Sequence, residues 1–304
     1  MSQSQRAAKT PLVSIGMPVF NGEGMLEETL RSVLVQTLDD FELIICDNAS
    51  GDRTAEICRD HAAGERRIRY FRNSRNLGQA VNHNLAFSHA RGRYFKWLAA
   101  DERLLPSYLA STRRVLDERP DVVLCNTLIG RIDSRGIPLG KHDSGLARAD
   151  LASVARRFAW VVSGAHSFVD FFGLIRTQSL LGSLLHAGFP GAERALLAQL
   201  ALRGRLAQLP APLLQMREYP HRSPPWQQAR ASLTGRRLRR EYLRMIAREA
   251  LPLAEHLRCF AVLACSLAGN AARDTLARTG RRAAARRTGT SGVAVEELFV
   301  NRRR

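Results

Sequence analysis

The chain has 304 residues, of which 45% are hydrophobic, and a formal net charge of +18. This composition is sufficient for a large buried core and excludes a disordered chain as the default. The longest apolar run, Cys259–Ala268, has about half the length that a bilayer-spanning helix requires, and residues 1–9 lack the apolar stretch of a secretory signal. We therefore expect a cytoplasmic protein with no transmembrane segment.

Predicted strands and helices alternate in the first part of the chain, which is typical of a parallel sheet covered by helices. The strands are expected at Val13–Pro18, Phe41–Asp47, Ile68–Phe71, Tyr94–Leu98 and Val122–Asn126. The helices are expected around Leu26–Leu34, after an N-cap at Asp52, over Gly78–Ser88, and between Pro106 and Pro120. The pattern predicts an α/β fold with a doubly wound, mostly parallel sheet, in which ligands bind at the carboxyl ends of the strands.

The second part of the chain predicts a strand at Phe168–Ile175, a helix at Gly191–Leu202, and the end of the domain near Pro210–Tyr219. A helical extension follows the Ser223–Pro225 break. One of its helices has an apolar face at Leu238, Tyr242, Met245 and Ile246, and the other at Leu253, Leu257, Phe260, Ala264 and Leu267. The expected division is a polar tail over 1–10, a sheet domain over 11–223, a basic helical extension over 224–277 and a mobile arginine-rich tail over 278–304.

The positive charge is concentrated at the end of the chain. Arg222–Arg304 contains eighteen arginines and six acidic residues. This segment therefore carries two thirds of the chain's net positive charge of +18. Such a segment suits an anionic membrane or nucleic acid. Nucleic acid is the less favoured partner, because aromatic residues are not interleaved with the arginines in the way that base-stacking surfaces require. The five cysteines form no CxxC pair and are interpreted as reduced core residues.

Polar clusters follow several of the predicted strands. The first strand ends in Pro18, Phe20, Asn21 and Glu23, and the second ends in Asp47, which can accept an N–H of a nucleobase or cap the next helix. Asn76, Gly78 and Asn82 begin a helix whose free N–H groups attract phosphate, although Asn76 could also serve only as a cap.

Two acidic clusters complete the candidate site. Asp101 and Glu102 end the fourth strand, where oxygen ligands suit Mg²⁺ or Mn²⁺, and the alternative is a solvated turn. Glu193 begins a later helix and is either a favourable contact with the helix dipole or a general base.

Taken in order, these motifs resemble the family 2 glycosyltransferases of the GT-A fold over about Pro11–Ser223. The corresponding segments are Pro18–Asn21, Asp47–Thr54, Asn76–Asn82, the Asp101–Glu102 pair and Glu193. The resemblance implies that Asp47 binds the nucleobase, that Phe20 and Asn21 line the donor pocket, that Asp101 holds the metal with His221 beside it, and that Glu193 is the base.

The implied reaction is inverting transfer of a sugar from a nucleoside-diphosphate sugar, with UDP as the expected nucleotide, to a saccharide, lipid-linked or protein hydroxyl. A divalent metal, Mn²⁺ or Mg²⁺, is the implied cofactor. Two positions depart from the family pattern, because Ala99 stands where the leading aspartate of the metal motif is usual and Glu193 where an aspartate is usual. Alternatives are an inactive homologue that only binds donor, nucleotidyl transfer, and a basic protein that binds nucleic acid or the inner face of the membrane.

Overall fold

The computed structural model describes residues 10–163, 167–220 and 236–266 of the chain. Its nine strands, in chain order, are β1 Val13–Val19, β2 Phe41–Asp47, β3 Ile68–Arg72, β4 Tyr94–Trp97, β5 Arg103–Leu104, β6 Val122–Ile132, β7 Pro138–His142, β8 Leu174–Arg176 and β9 Arg205–Arg217. The α-helices are α1 Leu26–Leu34, α2 Thr54–Gly64, α3 Gln79–Ser88, α4 Tyr108–Glu118, α5 Val154–Val162, α6 Thr177–Leu180, α7 Ala192–Arg203, α8 Arg236–Arg248 and α9 over residues 253–266. Short 3₁₀ helices lie at Leu146–Ala149 and Val169–Phe172.

The first four strands form the parallel half of a single sheet, in the order β3-β2-β1-β4. Every residue of β2 and almost every residue of β1 is buried, as expected for strands covered on both faces. The carboxyl ends of these strands therefore lie along one edge, which is where the sequence predicts the ligand. The doubly wound architecture with a mostly parallel sheet is confirmed.

The sheet continues from β4 through β8, β6, β9 and β5, and β7 pairs with the end of β6. The antiparallel pairs of β8 are only two residues long, whereas β6 and β9 form a long parallel pair. The strand predicted over Phe168–Ile175 is wrong for most of its length. Phe168 has a φ of +51° and a 3₁₀ helix follows it, so extended structure begins only at Leu174.

Helices cover both faces of the sheet. One face packs the apolar sides of α1, α2 and α4, and the other packs α5 and α7 over Phe95 and Trp97. The helix expected after an N-cap at Asp52 begins at Thr54 instead, and Asp52 accepts the Thr54 N–H within the preceding turn. Of the five cysteines, all without disulfides, four are buried, but Cys265 is exposed and does not belong to the core.

The helical extension packs against the same core cluster as α7. Leu238, Tyr242, Met245 and Ile246 are buried on the predicted face of α8. The predicted face of α9 is wrong, because Leu253, Leu257 and Phe260 are exposed while Cys259 and Leu263 are buried. Leu267 lies outside the described residues.

One contact explains the orientation of α9. Glu255 accepts the Ala155 N–H at 3.0 Å in the first turn of α5, which turns the Glu255–Cys259–Leu263 side of α9 inward. Over the described stretches, no helix combines the length and hydropathy needed to cross a bilayer. The proposed division at 224–277 and 278–304 lies largely outside the described residues and stays a prediction.

Candidate active site

A cavity of about 830 Å³ opens at the carboxyl edge of the sheet. Its walls come from the loop after β1, the beginning of α3, the turn after β4 and the end of β9. Seven of the predicted site residues line it: Pro18, Phe20, Asn21, Asn76, Gly78, Asn82 and Asp101. Segments far apart in sequence therefore meet at one cavity, as the positions of the strand ends require.

The loop after β1 is fixed to the loop after β2. The Asn21 N–H donates to Ser50 Oγ at 2.9 Å, and Asn21 Oδ1 accepts the Gly51 N–H at 2.9 Å. Asn21 has a φ of +51°, a left-handed conformation that asparagine tolerates better than most residues. Phe20 beside it is half exposed, so its ring is available to a planar ligand.

A network of amide side chains holds the start of α3 against the cavity. Asn48 donates to Asn76 Oδ1 at 2.7 Å, and the same oxygen accepts the Gly78 N–H at 2.8 Å. Asn82 donates to the Cys46 carbonyl at 2.7 Å. Gly78 has a φ of +85°, so a side chain there would strain the turn that begins the helix. The first N–H groups of α3 are therefore fixed beside the cavity, in the arrangement that favours an anion.

Asp47 is fully buried and does not line this cavity. Its Oδ1 accepts the Ser50 N–H at 2.8 Å, and its Oδ2 accepts the Tyr70 hydroxyl at 2.8 Å and an Arg72 N–H at 2.9 Å. The carboxylate thus shapes the loop that holds Asn21. Glu23 also lies off the main cavity, at a second, more open depression, and accepts the Arg53 N–H at 2.9 Å.

Asp101 lines the cavity next to groups from the end of β9. Its Oδ2 accepts the Tyr219 hydroxyl at 3.1 Å, and its carbonyl accepts an Arg217 N–H at 3.4 Å. Arg217 is almost completely buried and pairs with Glu28 at 2.6 Å. The Arg217 charge is therefore balanced by Glu28, and the arginine fixes the wall that carries Asp101.

Glu102 differs from its neighbour although the sequence pairs them. It is buried, it accepts the Ala99 N–H at 3.1 Å, and burial raises the pKa of its carboxyl group. Burial correspondingly lowers the pKa of Lys96, whose ammonium group donates to the Phe172 carbonyl beneath the site. Both side chains line the cavity, but Glu102 is almost completely buried whereas Asp101 is partly exposed, so Asp101 is the more accessible carboxylate of the pair.

The side chains at this wall fit a divalent metal only if the substrate and water supply further oxygen ligands. The described residues contain no group of three or more His, Cys, Asp or Glu side chains able to hold an ion by themselves. Mg²⁺ and similar ions often take one or two carboxylates and complete their shell with substrate phosphates and water. Asp101 meets that requirement, whereas His221 lies outside the described residues.

Glu193 lies in the first turn of α7 and is not a lining residue of the cavity. Its Oε1 lies 3.2 Å from Nε2 of His186. Burial acts to raise the pKa of Glu193. The hydrogen bonds that its carboxylate receives from His186 and from its own backbone N–H have the larger combined effect and hold the pKa below its ordinary value. The His186 ring lies 5.0 Å from that of His83, which does line the cavity.

Sequence reasoning missed several cavity residues. His83, Arg217 and Tyr219 line the cavity without belonging to any of the motifs. His83 immediately follows the Asn76–Asn82 segment on α3, and this adjacency was the available signal. Arg217 and Tyr219 offered none, because their contact with Asp101 spans more than 110 residues of chain.

Comparison with known sequences identifies the same region. Residues 14–180 match the model of the family described as glycosyl transferase family 2. An uncharacterized glycosyltransferase of Methanocaldococcus jannaschii is 34% identical over 128 residues, which cover 41% of this chain and 44% of that protein. The uncharacterized glycosyltransferase EpsJ of Bacillus subtilis is 34% identical over 116 residues, 38% of this chain and 33% of EpsJ. The matches span less than half the length of these relatives.

Solved structures share the fold at low sequence identity. TarS residues 1–349 of S. aureus, in complex with UDP, superpose with a TM-score of 0.58 at 17% identity, covering 80% of this chain and 68% of that one. The mannosyltransferase PcManGT of Pyrobaculum calidifontis, in complex with GDP-Man and Mn²⁺, superposes with a TM-score of 0.53 at 18% identity, covering 91% and 81%. At this identity the superpositions establish the fold alone.

Proposed function

Because the chain belongs to glycosyltransferase family 2, we propose that it transfers a sugar from a nucleoside-diphosphate sugar to a hydroxyl acceptor, with inversion at the anomeric carbon. The observation that carries the proposal is the convergence of Phe20, Asn21, Gly78 and Asp101 on one cavity at the carboxyl edge of the sheet. UDP is the expected nucleotide. The acceptor is a saccharide, a lipid-linked sugar or a protein.

The donor is held through its base and its diphosphate. The half-exposed ring of Phe20 offers a stacking surface for the base, and the first N–H groups of α3 face the position of the diphosphate. The buried Arg217, which pairs with Glu28 and donates to the Asp101 carbonyl, fixes the wall that carries Asp101. Charge that develops on the departing diphosphate is thereby stabilised by groups already in place, which costs no reorganisation during reaction.

Asp101 would hold a divalent ion, Mn²⁺ or Mg²⁺, on the donor diphosphate. Such an ion, when bound, neutralises charge on the leaving group. The Tyr219 hydroxyl donates to Asp101 Oδ2 and thereby restrains the carboxylate. His221 follows two residues later and stays a candidate second ligand.

Glu193 is the proposed base, although it lies behind the donor cavity, linked to the cavity residue His83 through His186, and not in its lining. Its lowered pKa keeps the carboxylate ionised at neutral pH, as proton abstraction requires. The carboxylate takes the proton of the acceptor hydroxyl while the acceptor oxygen bonds to the anomeric carbon and the bond to the diphosphate oxygen breaks on the opposite side. Base catalysis of this kind contributes about 100- to 10,000-fold to the rate.

Asp101→Ala tests the proposal. Thermal-shift titration with UDP and GDP should show stabilisation of the native chain that increases with Mn²⁺, by about 2.7 kcal/mol at 100 times the dissociation constant. Asp101→Ala should lose the increase due to Mn²⁺ and lose sugar transfer, whereas Asp60→Ala, an exposed aspartate on α2, should keep both. Undiminished metal-dependent transfer by Asp101→Ala would show that the metal assignment is wrong.

The second candidate is a homologue that binds donor without transferring sugar. Ala99 in the metal motif and Glu193 in place of aspartate favour it. Nucleotide binding without release of nucleoside diphosphate, across a panel of sugars and both metals, would establish this alternative.

We also propose that the helical extension contacts an anionic membrane surface. Leu243, Leu253, Leu257 and Phe260 are exposed by between 37% and 76%, and we call this set the apolar patch. Arg236, Arg237, Arg240, Arg244 and Arg248 are exposed on α8, the helix that also carries Leu243 of the patch. Exposed apolar side chains together with arginines match the chemistry of a bilayer with acidic headgroups. Attraction to such a surface contributes about 1 kcal/mol of binding free energy for each arginine near it.

Vesicle co-sedimentation of the full chain tests this contact. Pelleting with phosphatidylserine-rich vesicles should exceed pelleting with pure phosphatidylcholine, and should fall in the double variants Leu253→Ser/Leu257→Ser and Arg240→Glu/Arg244→Glu. Val35→Ser, which removes an exposed apolar side chain from α1's end, is the matched control. Equal pelleting by all variants would reject the proposal. A concentration-dependent dimer that the leucine variants abolish would assign the apolar patch to a second copy instead.

A further inference from the structure

His186 is a buried histidine between α6 and α7 that belongs to none of the sequence motifs. Its side chain is 9% exposed, and its Nε2 lies 3.2 Å from Glu193 Oε1, while the Glu193 side chain remains 38% exposed. One oxygen of the proposed base is therefore held from inside the protein, and the carboxylate is still accessible to solvent.

The position of His186 is fixed through its backbone. The His186 N–H donates to Asn84 Oδ1 at 3.0 Å, and Asn84 Nδ2 donates back to the His186 carbonyl at 3.1 Å. Asn84 lies on α3, next to His83 of the cavity wall. The helix that faces the donor therefore also holds the histidine that contacts Glu193.

The surroundings of the ring select one tautomer. The ring of Phe171 packs edge-on at 5.7 Å, and Nδ1 of His186 is buried with no hydrogen-bond partner among the described residues. A proton on Nδ1 would be buried without an acceptor, which is costly. The proton therefore belongs on Nε2, where it is donated to Glu193.

The charged and titratable groups that face Glu193 within the described residues are His186 and, further away, His83 on α3. Burial lowers the pKa of His83 to about 4, and its Nδ1 donates to the Gln79 carbonyl at 2.9 Å, so it is neutral near pH 7. The hydrogen bond from His186 is thus the principal side-chain interaction that favours ionised Glu193. Glutamate also has one more rotatable bond than aspartate, and a fixed donor removes that freedom.

Resting on the proposed function, we infer that His186 is a positioning residue for the base: its Nε2–H holds Oε1 of Glu193 and leaves Oε2 for the acceptor hydroxyl. His186 itself transfers no proton to substrate. The longer side chain at position 193 is matched by a partner that restrains it, which explains how glutamate takes the place of the usual aspartate.

His186→Phe tests the inference, because phenylalanine keeps the ring and removes the donor. With UDP-GlcNAc or GDP-mannose as the probe, release of nucleoside diphosphate should fall roughly 10- to 100-fold in kcat with little change in the donor KM. The acidic limb of the pH–rate profile should move to higher pH, since the ionised form of Glu193 loses its hydrogen bond. His186→Gln, which retains an N–H at a similar distance, should restore most of the rate and the profile.

His89→Phe is the matched control, because His89 stacks on Phe71 away from Glu193. Nitrogen-15 NMR of the native chain gives a measurement that does not depend on a variant folding, and should show His186 protonated on Nε2. An Nδ1–H tautomer, or an acidic limb that does not move in His186→Phe, overturns the inference.

Glu193→Gln distinguishes failure of the proposed function from failure of the His186 inference. Full activity of Glu193→Gln would show that Glu193 is not the base. Loss of activity in Glu193→Gln together with an unshifted pH–rate profile in His186→Phe would reject only the role of His186.

Discussion

Asp47 offers the sharpest test of how the loops around the cavity are held. The resemblance assigns it to the nucleobase, yet its carboxylate is fully buried and accepts hydrogen bonds from Ser50, Tyr70 and Arg72. Asp47→Ala removes all three acceptor contacts, whereas Asp47→Asn keeps an oxygen for the Ser50 N–H and places an N–H group where Oδ2 accepts from Tyr70 and Arg72. The two variants therefore separate the geometry of the loop from the charge.

The expected magnitude follows from these contacts. A hydrogen bond to a charged group contributes about 1.5–3 kcal/mol, but the Arg72 side chain is 37% exposed and regains water, so its share is reduced. The buried Ser50 N–H does not regain water easily. We expect Asp47→Ala to lower the free energy of unfolding by about 3–4 kcal/mol and Asp47→Asn by about 1–2 kcal/mol.

Thermal melting and calorimetric titration with UDP provide the assay. A loss of 3–4 kcal/mol corresponds to a decrease in Tm of about 6–16 °C for a domain of this size. If Asp47→Ala melts within a degree of the native chain, the structural reasoning is refuted. If Asp47→Asn is stable at the assay temperature but binds UDP with unchanged affinity, the predicted contact between Asp47 and the nucleobase is refuted.

Two further predictions concern stability. Glu42 accepts hydrogen bonds from Ser14, Arg69 and Arg91. Burial acts to raise the pKa of this carboxyl group, but the hydrogen bonds lower it overall. The stability that they contribute is therefore present at neutral pH and is lost on acidification below about pH 4.5. Glu42→Gln should flatten that acid dependence in denaturant titrations, and an unchanged dependence would contradict the assignment. Gly92→Ala should cost about 1–3 kcal/mol, because its Cβ would lie 2.6 Å from the Ser14 backbone nitrogen. Gly64→Ala, whose Cβ meets nothing within 4 Å, should be neutral or stabilising by the same measurement.

The local pattern of the sequence was sufficient for most of the first half of the sheet. β2 has the predicted bounds, and β1, β3 and β4 differ from prediction by one residue at their ends. Burial on both faces requires continuous apolar runs, and parallel strands present their carboxyl ends at one edge. Those two facts are sufficient to predict that Phe20, Asn76 and Asp101 lie near one another.

The local pattern failed where a distant contact decides the conformation. Extended structure was expected from Phe168, but the left-handed backbone at Phe168 and the 3₁₀ helix after it depend on packing against Trp97. Periodicity also assigned the wrong inner face to α9, because Leu253 and Leu257 share a helical face whether or not a core lies beneath them. The contact between Glu255 and Ala155 determined the rotation of that helix.

The sequence by itself determined the order of strands and helices, the parallel half of the sheet and the types of side chain at its carboxyl edge, because these depend on periodicity and turn chemistry within short segments. Only the tertiary structure decided which of those groups are available to a ligand. Asp101 is accessible while Glu102 is buried, Asp47 is occupied by Tyr70 and Arg72, and Glu193 is held by His186. The physical reason is that the solvation and the hydrogen-bond partners of an ionisable group come from residues distant in sequence, so they are fixed only when the chain has folded.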